Sequence, residues 1–229
     1  MVCAVPPGDR ADATLSVWTI VVAGGSGRRF GRPKQYESLG DRRVLDASFS
    51  VAESCSSGVV LVVPAADVAR EGGVAGGATR SESVRAGLAE VPADVDIVCV
   101  HDAARPLASA ALYRRVIDAI ASGADAAVPG LPVSDTVKVI DPGSAGATVL
   151  GEVVATPDRS TLVAVQTPQA FRASVLRAAH ASGVDATDDA ALVEAAGGRV
   201  VVVQGDPTAR KITTVDDLEW ARSQVGGAP

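Results

Sequence analysis

Short apolar runs rich in β-branched residues recur along the chain: residues 17–24 (VWTIVVAG), 58–64 (GVVLVVP), 95–101 (VDIVCVH), 124–133 (ADAAVPGLPV), 161–166 (TLVAVQ) and 199–206 (RVVVVQGD). Most lack an alternation of apolar and polar positions, the pattern of strands covered on both faces. Between them the apolar period lengthens to that of helices. One helix is predicted over 110–122, with Gly123 as its stop. A second covers 81–91, introduced by a Thr79-x-x-Glu82 capping box. A third over 188–198 follows Thr187, and a fourth over 215–225 follows Thr213 and Thr214, either of which can cap it. Strand and helix in alternation predict an α/β fold with a doubly wound, mostly parallel sheet, Rossmann-like in kind.

Two segments break this rhythm. Residues 137–159 hold two β-like runs around a Pro/Gly/Ser turn with no helix between them, which predicts a β-hairpin arm projecting from the sheet. Such an arm has few partners in its own chain, and a second copy of the chain is the simplest surface for it to pack on. The first 16 residues, with Pro6, Pro7, Gly8 and Asp9, read as a loose leader rather than a signal peptide. Residues 17–229 carry no repeat and no second composition regime, so a single domain with an arm is expected.

Composition narrows the function classes. The 229 residues are 47% hydrophobic and 21% charged, which fits a chain that buries a core and excludes a disordered one. No apolar run approaches the roughly 20 residues of a membrane-spanning helix. Cys3, Cys55 and Cys99 are odd in number and widely spaced, so neither a disulfide framework nor a zinc site is expected, and a reducing cytoplasm is. The net charge of -6 argues against non-specific nucleic-acid binding, but leaves room for a small anionic substrate met by local positive charge. Basic residues comprise 18 Arg and only three Lys, at 34, 138 and 211, which directs attention to places where a compact point charge is used.

Local positive charge is concentrated after the first apolar run, in VVAGGSGRRFGRPKQY (21–36). The dinucleotide fingerprint fails there, because Phe30 stands where a third glycine is needed. The Walker pattern fails as well, because Gln35 follows Lys34. The physical content of a phosphate clamp remains. Glycines at 24, 25 and 27 let backbone N–H groups approach phosphate oxygens. Arg28, Arg29, Arg32 and Lys34 can then meet a triphosphate from several sides. A solvated turn is the alternative, and it does not account for four cations within seven residues.

The G-G-x-G-x-R-F loop followed by Pro-Lys resembles the signature of nucleoside triphosphate transferases acting on sugar or polyol phosphates. Further segments resemble one branch of them: GGATRSESVRAGL (76–88), VHDAARP (100–106), VSDTVK (133–138), DRSTLVAVQTPQAF (158–171), TDDAALVE (187–194) and DPTARKITT (206–214). That branch is the 2-C-methyl-D-erythritol 4-phosphate cytidylyltransferases of the non-mevalonate isoprenoid pathway. The resemblance runs from about residue 17 to 225 and implies a homodimer that joins CTP to methylerythritol phosphate and releases pyrophosphate.

It also implies roles. Ala23, Gly24, Gly25, Gly27, Gly77, Ser83, Asp102 and Ala103 would contact the nucleotide, Gly77 and Ser83 being the cytosine-reading positions. Arg29, Lys34 and Lys211 would stabilise the transition state. Asp102, Arg105, Thr136, Arg159, Thr167 and Thr187 would hold the acceptor, Arg159 reaching from the arm into the neighbour's site. Mg²⁺ would be held mainly by the CTP phosphates, with Asp102 as a possible ligand. For each residue alone a structural reading stands beside the functional one: a first-turn serine at 83, a helix cap at Thr187, a surface arginine at 159. His101 is read as structural, His180 as a surface helix residue and Lys138 as pointing outward along a strand.

The first loop departs from the family's commonest form, with Val22-Ala23-Gly24 in place of Pro-Ala-Ala and a shorter interval from Arg29 to Lys34. The ribitol 5-phosphate cytidylyltransferases share these features and are the nearest alternative. A non-catalytic nucleotide-binding module on the same fold is a further one, and it predicts intact glycines without the transition-state cations.

Overall fold

The computed structural model describes residues 15–25, 30–144 and 148–226. Most of the expected leader, and Gly27, Arg28 and Arg29 of the basic loop, lie outside them.

From the N-terminal side, β1 (Val17–Val22) leads into a small hairpin of β2 (Ser38–Leu39) and β3 (Arg42–Arg43), then α1 (Val44–Ser54), β4 (Gly58–Val63), α2 (Val68–Glu71) and β5 (Val74–Ala75). Next come α3 (Arg80–Glu90), β6 (Ile97–Asp102), α4 (Ala110–Ala121) and β7 (Ala126–Pro132). The interrupted region gives β8 (Val139–Asp141) and β9 (Glu152–Ala155). The chain then continues through β10 (Val163–Val165), β11 (Gln169–Arg172), α5 (Ala173–Ala181), α6 (Asp189–Ala195), β12 (Val200–Gln204) and α7 (Val215–Gly226).

The sheet has a mostly parallel core. β1 lies between β4 and β6, parallel to both, with β5 beyond β4, and β12 runs parallel to β7. β10 and β11 are antiparallel insertions: β11 fills the place between β6 and β7, and β10 pairs with the far end of β7. The direction follows from the route of the chain. It returns from the arm at the C-terminal edge of the sheet and must run back down to reach α5.

Successive residues of the central strands face opposite sides, as the pleat requires. Ile20, Val98, Val100 and Phe171 pack with Val84 and Leu88 of α3, Leu176 of α5 and Leu192 and Val193 of α6. Val21, Ile97, Cys99 and Ala170 pack with Leu45 of α1 and with Tyr113, Val116 and Ile120 of α4. This double cover is why the runs read as continuously apolar. A third cluster, of Phe30, Leu39, Val44, Ile212, Leu218 and Ala221, lies beneath the segments that carry Lys34 and Lys211.

The capping box at the head of α3 forms as expected: Thr79 Oγ1 accepts from the Glu82 N–H at 3.1 Å, while the Glu82 carboxylate accepts from the Ala78 and Thr79 N–H groups. At the head of α7, Asp217 Oδ2 accepts hydrogen bonds from the N–H and hydroxyl of both Thr213 and Thr214. Three expectations are corrected. Asp188, not Thr187, caps α6, accepting from the Ala191 N–H at 3.0 Å. His180 is buried, not on the surface, because its ring meets the buried Asp189 carboxylate at 2.9 Å. Lys138 precedes β8 rather than lying in a strand, and donates to Thr156 Oγ1 across the base of the hairpin at 2.8 Å.

α3 approaches the sheet at Gly87, where a Cβ would stand 2.6 Å from Ile20 Cγ2 and 2.9 Å from Val62 Cγ2. Gly87→Val should therefore overpack this contact and lower stability by about 1–3 kcal/mol, read from urea unfolding.

Candidate active site

The C-terminal ends of β1 and β6 lie side by side, with Val22 opposite Asp102. Beyond them the chain opens into a cleft of about 530 Å³. Ala23, Gly24 and Gly25 form one wall, Gly77 to Arg80 and Ser83 another, and Asp102 to Ala104 the base. Lys34, Gln35, Lys211 and Thr213 complete the lining, with Phe30 and Val22. Three cations, Lys34, Arg80 and Lys211, thus face one carboxylate, Asp102, among the described lining residues. That surplus of positive charge, in a chain of net charge -6, suits an anionic ligand.

Each wall has a local cause. The bond from the Ala23 N–H to the Val62 carbonyl, 2.7 Å, carries the sheet one residue past β1 before the glycines begin. Ser83, in the first turn of α3, is buried and donates to the Thr79 carbonyl at 2.9 Å. A Cβ on Gly76 would stand 2.8 Å from Ser83 Oγ, and one on Gly77 would stand 2.3 Å from Glu82 Cβ. Glycine is therefore required at 76 and 77 by the way the cap folds over, before any ligand is considered.

Lys34 opens a short 3₁₀ turn, Lys34–Tyr36, whose last residue is firmly held. The Tyr36 ring lies under the guanidinium of Arg70, 4.4 Å from its centroid, and near that of Arg43, and its hydroxyl donates to Asp67 Oδ2 at 2.8 Å. On the other side of Lys34, Phe30 is buried in the same cluster as Ile212. Ile212 in turn donates from its N–H to the Ala104 carbonyl at 2.8 Å, which brings Lys211 over the end of β6. Lys211 Nζ then lies 2.6 Å from Asp102 Oδ2, while Arg80 Nε stands 3.5 Å from Asp102 Oδ1. Burial alone would raise the Asp102 carboxyl, but Lys211, Arg80 and Arg105 outweigh it and hold the group well below the usual carboxylate range.

The predicted residues are only partly brought together. Ala23, Gly24, Gly25, Lys34, Gly77, Ser83, Asp102, Ala103 and Lys211 share the cleft; Gly27 and Arg29 fall outside the described residues. Thr167 lies behind the base, its hydroxyl accepting from the Asp102 N–H at 3.0 Å and sharing a 3.1 Å hydrogen bond with His101 Nδ1. Arg105 follows Asp102 closely in the chain but spends its guanidinium on the Ala209 and Val165 carbonyls. Thr136 and Arg159 sit exposed at the two ends of the hairpin segment, Arg159 donating to the Ser134 carbonyl at 2.7 Å. Thr187 is exposed before α6. None of these last five lines the cleft.

His101 is fully buried, and burial pushes its imidazole down to about 4, so it is neutral at pH 7. It does not line the cleft, which leaves it no proton to exchange with a ligand there. Arg80 and Thr213 are among the polar lining residues that sequence reasoning did not assign to the site. The signal for Arg80 was faint: a lone cation directly after the capping threonine, in a segment already singled out for Gly77 and Ser83.

The profile of IspD, 2-C-methyl-D-erythritol 4-phosphate cytidylyltransferase, matches residues 17–226. The chain belongs to the IspD family. It is 44% identical to the 2-C-methyl-D-erythritol 4-phosphate cytidylyltransferase of Rhodococcus jostii, over 94% of this chain and 97% of that one. Among solved structures, the 4-diphosphocytidyl-2C-methyl-D-erythritol synthase of Anaerococcus prevotii superposes with a TM-score of 0.77 at 28% identity, covering 93% of this chain and 99% of that chain. The 2-C-methyl-D-erythritol 4-phosphate cytidylyltransferase of Thermus thermophilus gives 0.74 at 33% identity, covering 90% and 98%. For this IspD chain, the mixed α/β sheet is thus that of a cytidylyltransferase scaffold.

Thr167→Val keeps the shape but removes the acceptor of the buried Asp102 N–H and the partner of His101 Nδ1. A loss of about 1–3 kcal/mol in unfolding free energy is expected, measured by urea denaturation at pH 7.

Proposed function

We propose that this chain transfers the cytidylyl group of CTP to 2-C-methyl-D-erythritol 4-phosphate, giving 4-diphosphocytidyl-2-C-methyl-D-erythritol and pyrophosphate in isoprenoid precursor synthesis. The observation that carries the reading is that Lys34 and Lys211, 177 positions apart in the chain, line the same cleft as Asp102 at the end of β6, which Lys211 contacts. Membership of the family over residues 17–226 supports it.

A phosphate oxygen of the acceptor attacks the α-phosphorus of CTP; the bond to the bridging oxygen breaks and the pyrophosphate departs with that electron pair. The second pKa of a phosphate monoester is about 6, so the nucleophile is largely ionised at neutral pH and no general base is needed. The buried, neutral His101 accords with that. The chain's task is to offset charge where two anions meet, and fixed cations do so best when they bind the transition state more tightly than the ground state. In this reading Lys34 and Lys211, with Arg29, take the phosphates. The backbone at Ala23, Gly24, Gly25, Gly27 and Ala103, with Gly77 and Ser83, takes the nucleotide. Asp102, Arg105, Thr136, Arg159, Thr167 and Thr187 take the acceptor.

Among the described residues no group of three or more His, Cys, Asp and Glu side chains could hold a metal ion. Asp102 alone fits a divalent ion that arrives on the triphosphate, as Mg²⁺ commonly does. When bound, such an ion supplies charge neutralisation to the triphosphate.

The reading extends to a homodimer. The arm carries Val139, Ile140, Val149, Leu150, Val153 and Val154 exposed, Leu150 to 82%, an apolar surface that its own chain leaves uncovered. A second copy packed there would place Arg159 near the neighbouring cleft. Cytoplasmic residence accords with Cys55 and Cys99, both free thiols.

Pyrophosphate release with CTP, Mg²⁺ and each of the two polyol phosphates tests the reaction. Turnover with methylerythritol phosphate is expected; preference for ribitol 5-phosphate, or binding without release, would overturn it. Lys211→Met should lower kcat about a hundredfold, equivalent to roughly 3 kcal/mol. Mixing an Arg159→Ala chain with a Lys34→Ala chain should restore part of the activity in mixed dimers, and no recovery there would refute the role of the arm in trans.

A further inference from the structure

Behind the cleft a row of alternating charges runs into the interior. Lys211 Nζ meets Asp102 Oδ2 at 2.6 Å, and Asp102 Oδ1 faces Arg80 Nε at 3.5 Å. Arg80 Nη1 meets Asp189 Oδ2 at 2.6 Å, and Asp189 Oδ1 meets His180 Nε2 at 2.9 Å. Side-chain exposure is 39% at Lys211, 11% at Asp102 and 24% at Arg80, and drops to 0% at Asp189 and 2% at His180. The row crosses from β6 through the first turn of α3 to the consecutive helices α6 and α5.

Each carboxylate gives its two oxygens to two different partners, so neither can turn without abandoning one of them. With Arg80 donating to Asp189 Oδ2, the remaining carboxylate oxygen Oδ1 accepts from His180 Nε2. Arg80 is the pivot: it lines the cleft, yet its strongest contact is with a carboxylate that solvent and ligand do not reach. A long cationic side chain at a cleft edge is ordinarily mobile. Here one nitrogen is fixed from behind by a buried anion, leaving Nε directed at Asp102.

Resting on the cytidylyltransferase reading, we infer that Asp189 and His180, neither of which lines the cleft, are positioning residues for the transfer reaction. They hold Arg80, and Arg80 keeps Asp102 in place when Lys211 exchanges that carboxylate for a phosphate oxygen. Without the hold from behind, Asp102 would follow Lys211 and keep its charge partly quenched. The effect falls on the chemical step more than on nucleotide binding.

Steady-state kinetics of pyrophosphate release, at a temperature at which circular dichroism shows each variant folded, separates this role from a structural one. Asp189→Asn should lower kcat about tenfold to a hundredfold while the KM for CTP stays within about threefold. His180→Leu should fall in the same direction, and His180→Gln, which keeps an N–H donor, should restore kcat to within about threefold of the parent. Asp189→Asn combined with Arg80→Gln should lose little more than the worse single variant, since the residues act as a unit. Should Asp189→Asn not fold, the two His180 variants carry the test. The inference is overturned if folded variants keep the parent kcat, if only the KM for CTP moves, or if the losses at 80 and 189 multiply. An inactive parent chain would instead overturn the cytidylyltransferase reading itself.

Discussion

The ion pair of Asp102 with Lys211, 2.6 Å long and partly withdrawn from water, joins the end of a central strand to a residue 109 positions later. A carboxylate so poorly exposed is costly unless cations face it, and here two do, Lys211 from above and Arg80 from the side. The arrangement also settles the sign of the cleft. With Lys34 added, positive groups outnumber the carboxylate, so the site draws anions although the chain as a whole repels them. A nucleoside triphosphate entering such a site replaces one anion by another and meets cations that are already in position.

The sheet supplies the rigidity this requires. β1 and β6 are covered on both faces, and just past β6 the Ala103 N–H donates across to the Val22 carbonyl at the end of β1 at 3.0 Å. Ligand groups placed at the ends of such strands inherit the precision of the core, whereas those on the arm do not. That division accords with the proposed reading, in which the nucleotide side is built on the sheet and the acceptor side would draw on Thr136 and Arg159, which their own chain leaves exposed.

Much of the architecture was legible because the strands are apolar on both faces and several helices carry Ser, Thr or Asp at their heads, as α3, α4 and α6 do. The elements that escaped lack such marks. α1 is preceded by Arg43, whose own N–H donates to Asp46, and α5 by Arg172 with no side-chain cap, so neither announces itself. β11 is four residues long, holds Gln169 and Arg172, and reads as loop; only its place between β6 and β7 makes it a strand. In the site, Lys34 in the glycine-rich loop and Lys211, marked by the scarcity of lysine, were readable, whereas Arg32 of the same loop pairs with Glu37 and does not line the cleft. Arg80 and His180 were not readable, because their significance depends on Asp189, and no local pattern connects positions 80 and 189.

The small cluster of Phe30, Leu39, Val44, Ile212, Leu218 and Ala221 has a consequence of its own. It is the common floor of both lysine-bearing segments and depends on a face of the C-terminal helix α7, away from the principal core. Local opening of that helix would release both amines together while the sheet stayed folded. With the two amines in their proposed roles, the sub-global stability of the C-terminal end would limit catalytic competence, and a protein with unchanged global unfolding would lose turnover to fraying at its last helix.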